Sequence, residues 1–288
     1  MEPGMRLSGA LWRFWHTFGY LREGREQLVR ALARSDDTVR TIARAKALNG
    51  CALLNWLQGD AETARMLYEK SVAIGRELGD RVSIAASLIG LGLVLLDRNE
   101  LDTAETLFEE TRALCAEIED YWGLALSLNN LGLVASAHGS LDSARSHHQE
   151  SLEVRRKMQD QWGMAMSLNN LGTLTAQEGD YGRARALVSE SLTIRRAIRD
   201  RAGIAYSFEA LATLAAREGS LNRAVCLLAA EQALRETMGV ALSPSAGADH
   251  DRVLARIHDA AAEPEYEAAW KRGLTMTLEQ AIDFALAE

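Results

Sequence analysis

Residues Asp160 to Ala184 read DQWGMAMSLNNLGTLTAQEGDYGRA, and forty residues earlier Asp120 to Ala144 read DYWGLALSLNNLGLVASAHGSLDSA. The segments Leu124–Gly132 and Met164–Gly172 differ at only two positions. Self-similarity at a fixed period of this size marks a repeat architecture, in which each unit is too small to bury its apolar face alone.

Every fortieth residue then falls into a column. A turn column runs Gly19, Gly59, Asn99, Gly139, Gly179, Gly219, and five residues later come Gly24, Ala64, Ala104, Ala144, Ala184, Ala224. Upstream lie Ala45, Ala85, Ala125, Ala165, Ala205, then Leu48, Leu88, Leu128, Leu168, Phe208. Next are Cys51, Leu91, Leu131, Leu171, Leu211, followed by the small residues Ala52, Gly92, Gly132, Gly172, Ala212. Spacings of three, three and one place these columns on one helix face, where small residues admit a second helix closely. Each unit therefore reads as two antiparallel helices joined at a residue free to adopt positive φ. Asp80, Asp120, Asp160 and Asp200 precede the first helices, and Asp60, Ser140, Asp180 and Ser220 the second, as N-caps.

Composition agrees. The 288 residues are 48% hydrophobic with three prolines, none between Pro3 and Pro244, and period-two β-branched runs are missing. The expected fold is all-α, a right-handed superhelical solenoid of antiparallel helix pairs. Six hairpins are expected over 1–240, at about 5–37 (degenerate), 41–80, 81–120, 121–160, 161–200 and 201–240, with a helical cap over 241–288. In the first hairpin Trp12, Phe14, Trp15 and Phe18 are expected to cover the open end of the stack. In the cap, SPSAGADHD reads as a linker, Asp251–Glu263 as a helix, and Thr277 with Gln280 as a capping box.

The pattern Leu168-x-x-Leu171-Gly172, then Gly179 and Ala184, resembles the tetratricopeptide repeat. The forty-residue unit, without the closing Pro, looks like the long-helix variety of kinesin light chain, with E-L-G-D or I-R-D helix extensions as linkers. The stretch LWRFWHTFGYLREGREQL, together with the tail, also resembles the helical repeat arm of bacterial signal-transduction ATPases of the STAND class. Asn in the inner columns of such repeats implies clamping of an extended peptide backbone.

Several function classes are disfavoured. With 32 Lys+Arg against 40 Asp+Glu the net charge is −8, unlike a general nucleic-acid binder. Cys51, Cys115 and Cys226 sit at unrelated spacings, which suggests neither disulfides nor zinc. No apolar run approaches the roughly 20 residues of a membrane span, and no signal peptide is evident, so the expected location is the cytoplasm. Walker, nucleophile-elbow, zincin and dinucleotide motifs are missing, so no enzyme, metal or cofactor is expected. His147 and His148 replace packing residues and read as structural; His250 and His258 read as solvated. Arg155, Arg156, Arg195 and Arg196 read as a solvated face with pairs such as Arg156–Asp160. Trp122 and Trp162 are expected to pack between repeats.

The asparagines carry the site expectation. Asn129, Asn130, Asn169 and Asn170 lie mid-helix beside the Leu columns, rotated toward the inner side of the solenoid. An amide both donates and accepts, so it matches a peptide backbone without demanding a side chain. An inter-repeat ladder is the alternative, and the two are compatible. Helical spacing adds Met166, Thr173, Gln177, Tyr206, Glu209 and Arg217 to the same surface. The expected function is non-catalytic recognition of a peptide or protein segment in a concave groove, in bacterial signalling or transcriptional regulation. A small-molecule-sensing arm and an oligomerisation scaffold are the alternatives.

Overall fold

A computed structural model describes Leu7, Leu11, Phe14, Trp15, residues 20–34, Asp36, residues 38–238, Ala255 and residues 263–287. Gly19, Trp12, Phe18, the linker after Ala241, His250, His258 and most of the helix expected at 251–263 lie outside the described residues. The described residues form thirteen helices and no strand.

By chain contacts two units separate, Met1–Ser140 and Leu141–Glu288. The first holds α1 (Leu21–Ala33), α2 (Ile42–Leu57), α3 (Ala61–Leu78), α4 (Arg81–Asp97), α5 (Leu101–Glu117) and α6 (Tyr121–Ala137). The second holds α7 (Leu141–Met158), α8 (Gln161–Gln177), α9 (Tyr181–Ile198), α10 (Arg201–Arg217), α11 (Leu221–Met238), α12 (Glu263–Thr275) and α13 (Leu278–Leu286).

One joint links these helices every twenty residues. Gly59, Asn99, Gly139, Gly179 and Gly219 take positive φ, and so do Gly79, Glu119, Gln159 and Arg199. At eight of these joints the N–H of the following residue reaches back five positions, as from Asp60 to the Asn55 carbonyl and from Asp160 to that of Arg155, 2.9 and 3.0 Å. That is a Schellman closure, and where the last residue of a joint is aspartate it caps the next helix, as Asp60 and Asp180 do, whereas Glu100 makes no side-chain cap bond. Asp80, Asp120, Asp160 and Asp200 accept from the N–H groups of Ser83, Gly123, Gly163 and Gly203. The linkers expected as helix extensions are thus sharp left-handed breaks. Sequence missed three of them because Glu119, Gln159 and Arg199 are not glycine.

In the first unit Ala45, Ala52, Ala64 and Ala104 are fully buried, so helix backbones approach closely. Trp15 joins Leu28, Leu48 and Leu54 in one core, and a Cβ on Gly24 would sit 2.7 Å from the Trp15 ring. This explains glycine in a column that otherwise holds alanine. Phe14, expected to cover the same end, is 46% exposed. In the second unit Phe208, Leu211 and Leu228 pack with Ile282 and Ala285 of α13. There Arg196 pairs with Glu279 and Asp283 at 2.6 and 2.9 Å, and Cys226 Sγ donates to the Ala269 carbonyl. Thr277 and Gln280 form the capping box that starts α13. The three cysteines are free and buried.

Candidate functional site

In the second unit α8 and α10, the first helices of consecutive pairs, border a cavity of about 260 Å³. Its walls are two helical stripes: Asn169, Thr173 and Gln177 on α8, and Tyr206, Glu209, Thr213 and Arg217 on α10. Gly172 and Val188 help close its floor. Six residues read from the sequence as one surface therefore meet around one cavity: Asn169, Thr173, Gln177, Tyr206, Glu209 and Arg217.

Local hydrogen bonds orient these walls. Thr173 Oγ1 donates to the Asn169 carbonyl at 3.1 Å and Thr213 Oγ1 to that of Glu209 at 3.0 Å. Ser207 Oγ donates to Asn169 Oδ1 at 3.5 Å, a bond between neighbouring pairs. Its equivalent in the first unit runs between Asn49 Nδ2 and Ser87 Oγ, 3.0 Å. At these two places in the asparagine column, asparagine bonds to serine of the neighbouring pair. Behind the α10 wall, the Arg235 guanidinium lies 4.9 Å from the Tyr206 ring centroid and 3.8 Å from Glu209. It also binds Glu231, which is fully buried. The cavity thus presents two amides, hydroxyls, a half-exposed phenol, a carboxylate and a guanidinium, which suits non-covalent recognition of groups that both donate and accept. Among the described residues no His, Cys, Asp and Glu converge as a metal-holding group, and no helix is long and apolar enough to cross a membrane.

Other expected site residues fall elsewhere. Asn129 and Asn130 on α6 are each 2% exposed and do not line this cavity, and Asn130 Nδ2 has no hydrogen-bond partner. Met166 and Asn170 are half-buried on α8 and do not line the cavity. Trp122 and Trp162 are 45% and 48% exposed rather than packed between repeats. Arg155 and Arg195 are buried rather than solvated, and it is Arg155, not Arg156, that pairs with Asp160, at 3.5 Å. Burial lowers the pKa of Arg155 to about 10, against the pull of Asp160. His148 is buried, as a packing residue should be. Sequence reading missed Glu231 and Arg235. The register signals them: Glu231 follows Ser71, Thr111, Ser151 and Ser191 in its column, and Arg235 follows Arg155 and Arg195.

Tetratricopeptide repeat profiles match residues 43–117, 83–157 and 164–199, together just over half of the chain. No curated protein sequence matches. Among solved structures, the chain is similar to a Podosopora anserina kinesin light chain with nearly identical TPR-like repeats, at 20% identity, covering 68% of this chain and 96% of that one, TM-score 0.55. It is also similar to BtubC (BKLC) from P. vanneervenii, at 21% identity over 78% and 92% of the two chains, TM-score 0.58. The Rap conjugation gene regulator of plasmid pLS20, solved with the Phr* peptide, matches at 15% identity over 94% and 76%, TM-score 0.62. At such identities the likeness is one of fold, the all-α solenoid of helix pairs. The repeat profiles carry the rest: this chain belongs to the tetratricopeptide repeat family.

Proposed function

We propose that the chain is an interaction scaffold whose second unit holds a peptide or protein segment between α8 and α10. The observation that carries this reading is the convergence of two helical stripes on one cavity, with both donors and acceptors among its lining residues. Asn169 and Gln177 would serve the ligand backbone, Tyr206 and the Val188 floor an apolar anchor, and Glu209 and Arg217 its ends. The Rap regulator solved with a peptide has a similar fold, which favours a peptide over a metabolite. Bacterial signalling or gene regulation is the setting in which we place it, in the cytoplasm, with six repeats over 1–240 and a cap over 241–288.

The test is selection of binders from a peptide display library, followed by fluorescence anisotropy. Asn169→Ala combined with Tyr206→Ala should weaken the selected peptide at least tenfold, roughly the loss of one hydrogen bond and one aromatic contact. Unchanged affinity in a folded double variant would refute the groove assignment. Saturable binding of metabolites alone would instead favour a small-molecule sensor.

A further inference from the structure

In the first unit the seam between α1, α2 and α3 holds a second, open cavity of about 470 Å³. One stripe of α2 forms its length, Arg44, Leu48, Cys51 and Asn55. Across from it stand Leu67 and Lys70 of α3, with Val29 and Leu32 of α1.

The forty-residue register shows why space and charge coincide here. Cys51 occupies the column that holds leucine at 91, 131, 171 and 211, and Asn55 stands where α4 has Leu95. Leu91 is buried, at 8% exposure, so its longer side chain fills what the shorter Cys51 thiol leaves open, while Asn55 matches leucine in size and donates its Nδ2 to the Cys51 carbonyl at 2.7 Å. Arg44 replaces Ile84, Leu124, Met164 and Ile204, while Lys70 replaces Glu110, Glu150 and Glu190. Val29 replaces Glu69 and Glu109. Within this one seam a carboxylate column becomes apolar, another becomes cationic, and an apolar column gains a guanidinium.

The two cations share one end. Both line the cavity at the level where Ser71 Oγ donates to the Ala45 carbonyl, 2.8 Å. Asn55 and Thr63 mark the other end, beside the joint at Gly59. Arg44 is only 4% exposed, and its Nη1 donates to the Leu32 carbonyl at 3.4 Å. Burial pushes the Cys51 thiol up to about 11, and the positive charge of Arg25 acts against that rise. Asp36, whose charge Arg44 feels, accepts from Thr38 N and Oγ1 at 2.8 and 2.9 Å. Between the ends, Leu48 and Leu67 offer no partner to a peptide's N–H and C=O groups, whose burial there would be costly.

We propose that this seam binds an elongated amphipathic carboxylate, its head beside Arg44 and Lys70 and its apolar chain along Leu48, Cys51 and Leu67. From Arg44 to Asn55 the stripe spans about 16 Å at the α-helical rise, room for a medium-length extended acyl chain. A mostly apolar cavity with a few polar groups at its ends is the usual form of a small-molecule site. The site is independent of the groove between α8 and α10.

Isothermal titration calorimetry of the full chain with decanoate, below its micelle concentration, tests this, with decanol as the uncharged twin. Decanoate should saturate one site, and decanol should bind about tenfold more weakly or worse, as expected for loss of one charge pairing. Lys70→Glu, which installs the residue found at 110, 150 and 190, should weaken decanoate by a similar factor of about ten. Cys51→Leu should abolish binding by filling the waist, with the thermal midpoint unchanged or raised. No saturable heat, equal binding of decanol, or affinity indifferent to Lys70→Glu overturns the proposal. The Lys70 side chain is exposed, so that variant decides even if Cys51→Leu fails to fold.

Discussion

The guanidinium of Arg235 lies over the Tyr206 ring, 4.9 Å from its centroid, while its Nε binds Glu231 one helical turn back. Arg235 and Glu231 have side chains 9% and 1% exposed. Removing one member of such a buried pair leaves the other charge desolvated, at a cost of about 3–5 kcal/mol. Arg235→Met should therefore lose stability of that order in urea unfolding. Glu231→Ser in the same chain, restoring the residue found at 151 and 191, should recover most of it. If the single variant unfolds like the parent, Arg235 does not hold Glu231 in solution.

The joints make a second prediction. Gln159 and Arg199 both sit at φ 57°, where an L side chain costs about 1–2 kcal/mol. Glycine relieves that strain but adds disorder to the unfolded chain. Gln159→Gly and Arg199→Gly should each stabilise by about 0.5–1 kcal/mol. A loss of stability at both sites would mean that the left-handed joint is not populated.

How much of this was legible follows from what each residue depends on. The alanine and leucine columns depend on helical period alone, so Ala64, Leu168 and Gly172 could be placed from the register. The stripes lining the cavity follow from the same period, which is why Asn169, Thr173, Gln177 and Tyr206 come together. Burial depends on neighbours that no period supplies. Asn129 and Asn169 share a column, yet one is 2% exposed and the other lines a cavity. Arg155 and Arg195 were misread because arginine is rarely buried unless paired. The left-handed joints at Glu119, Gln159 and Arg199 carry no glycine to announce them.

His148 gives a pH dependence. Burial lowers its pKa to about 4, with the neighbouring His147 adding to the shift, whereas the unfolded chain takes up its proton near 6.5. Between these values the unfolded state holds more protons, so stability falls as pH drops from about 6.5 to about 4. From pH 7 to pH 5 this group should cost about 2 kcal/mol. His148→Phe, matching Phe108 in the register, should remove that component. Urea midpoints of both proteins at pH 7 and pH 5 measure it, and parallel losses in the two would assign the pH effect elsewhere.

α8 packs tightly on α9 at Gly172, where a Cβ would lie 2.5 Å from Val188 Cγ2 and 3.1 Å from the Ala184 carbonyl oxygen. A flexible side chain could yield, but the Ala184 oxygen belongs to a helix backbone and can retreat only if the helices part. Gly172→Ala gains about 1 kcal/mol of helix propensity against an overpacking cost of about 1–3 kcal/mol. A net loss of about 1 kcal/mol is expected, partly recovered by Val188→Ala, which removes the side-chain clash and leaves the backbone one. Both residues also line the cavity, so the two properties should separate. Val188→Ala in Gly172→Ala should improve the urea midpoint while leaving peptide affinity below the parent, because the floor that receives an apolar anchor has been cut away. Full recovery of affinity alongside stability would show that the ligand does not reach Val188, and would move its anchor toward Tyr206.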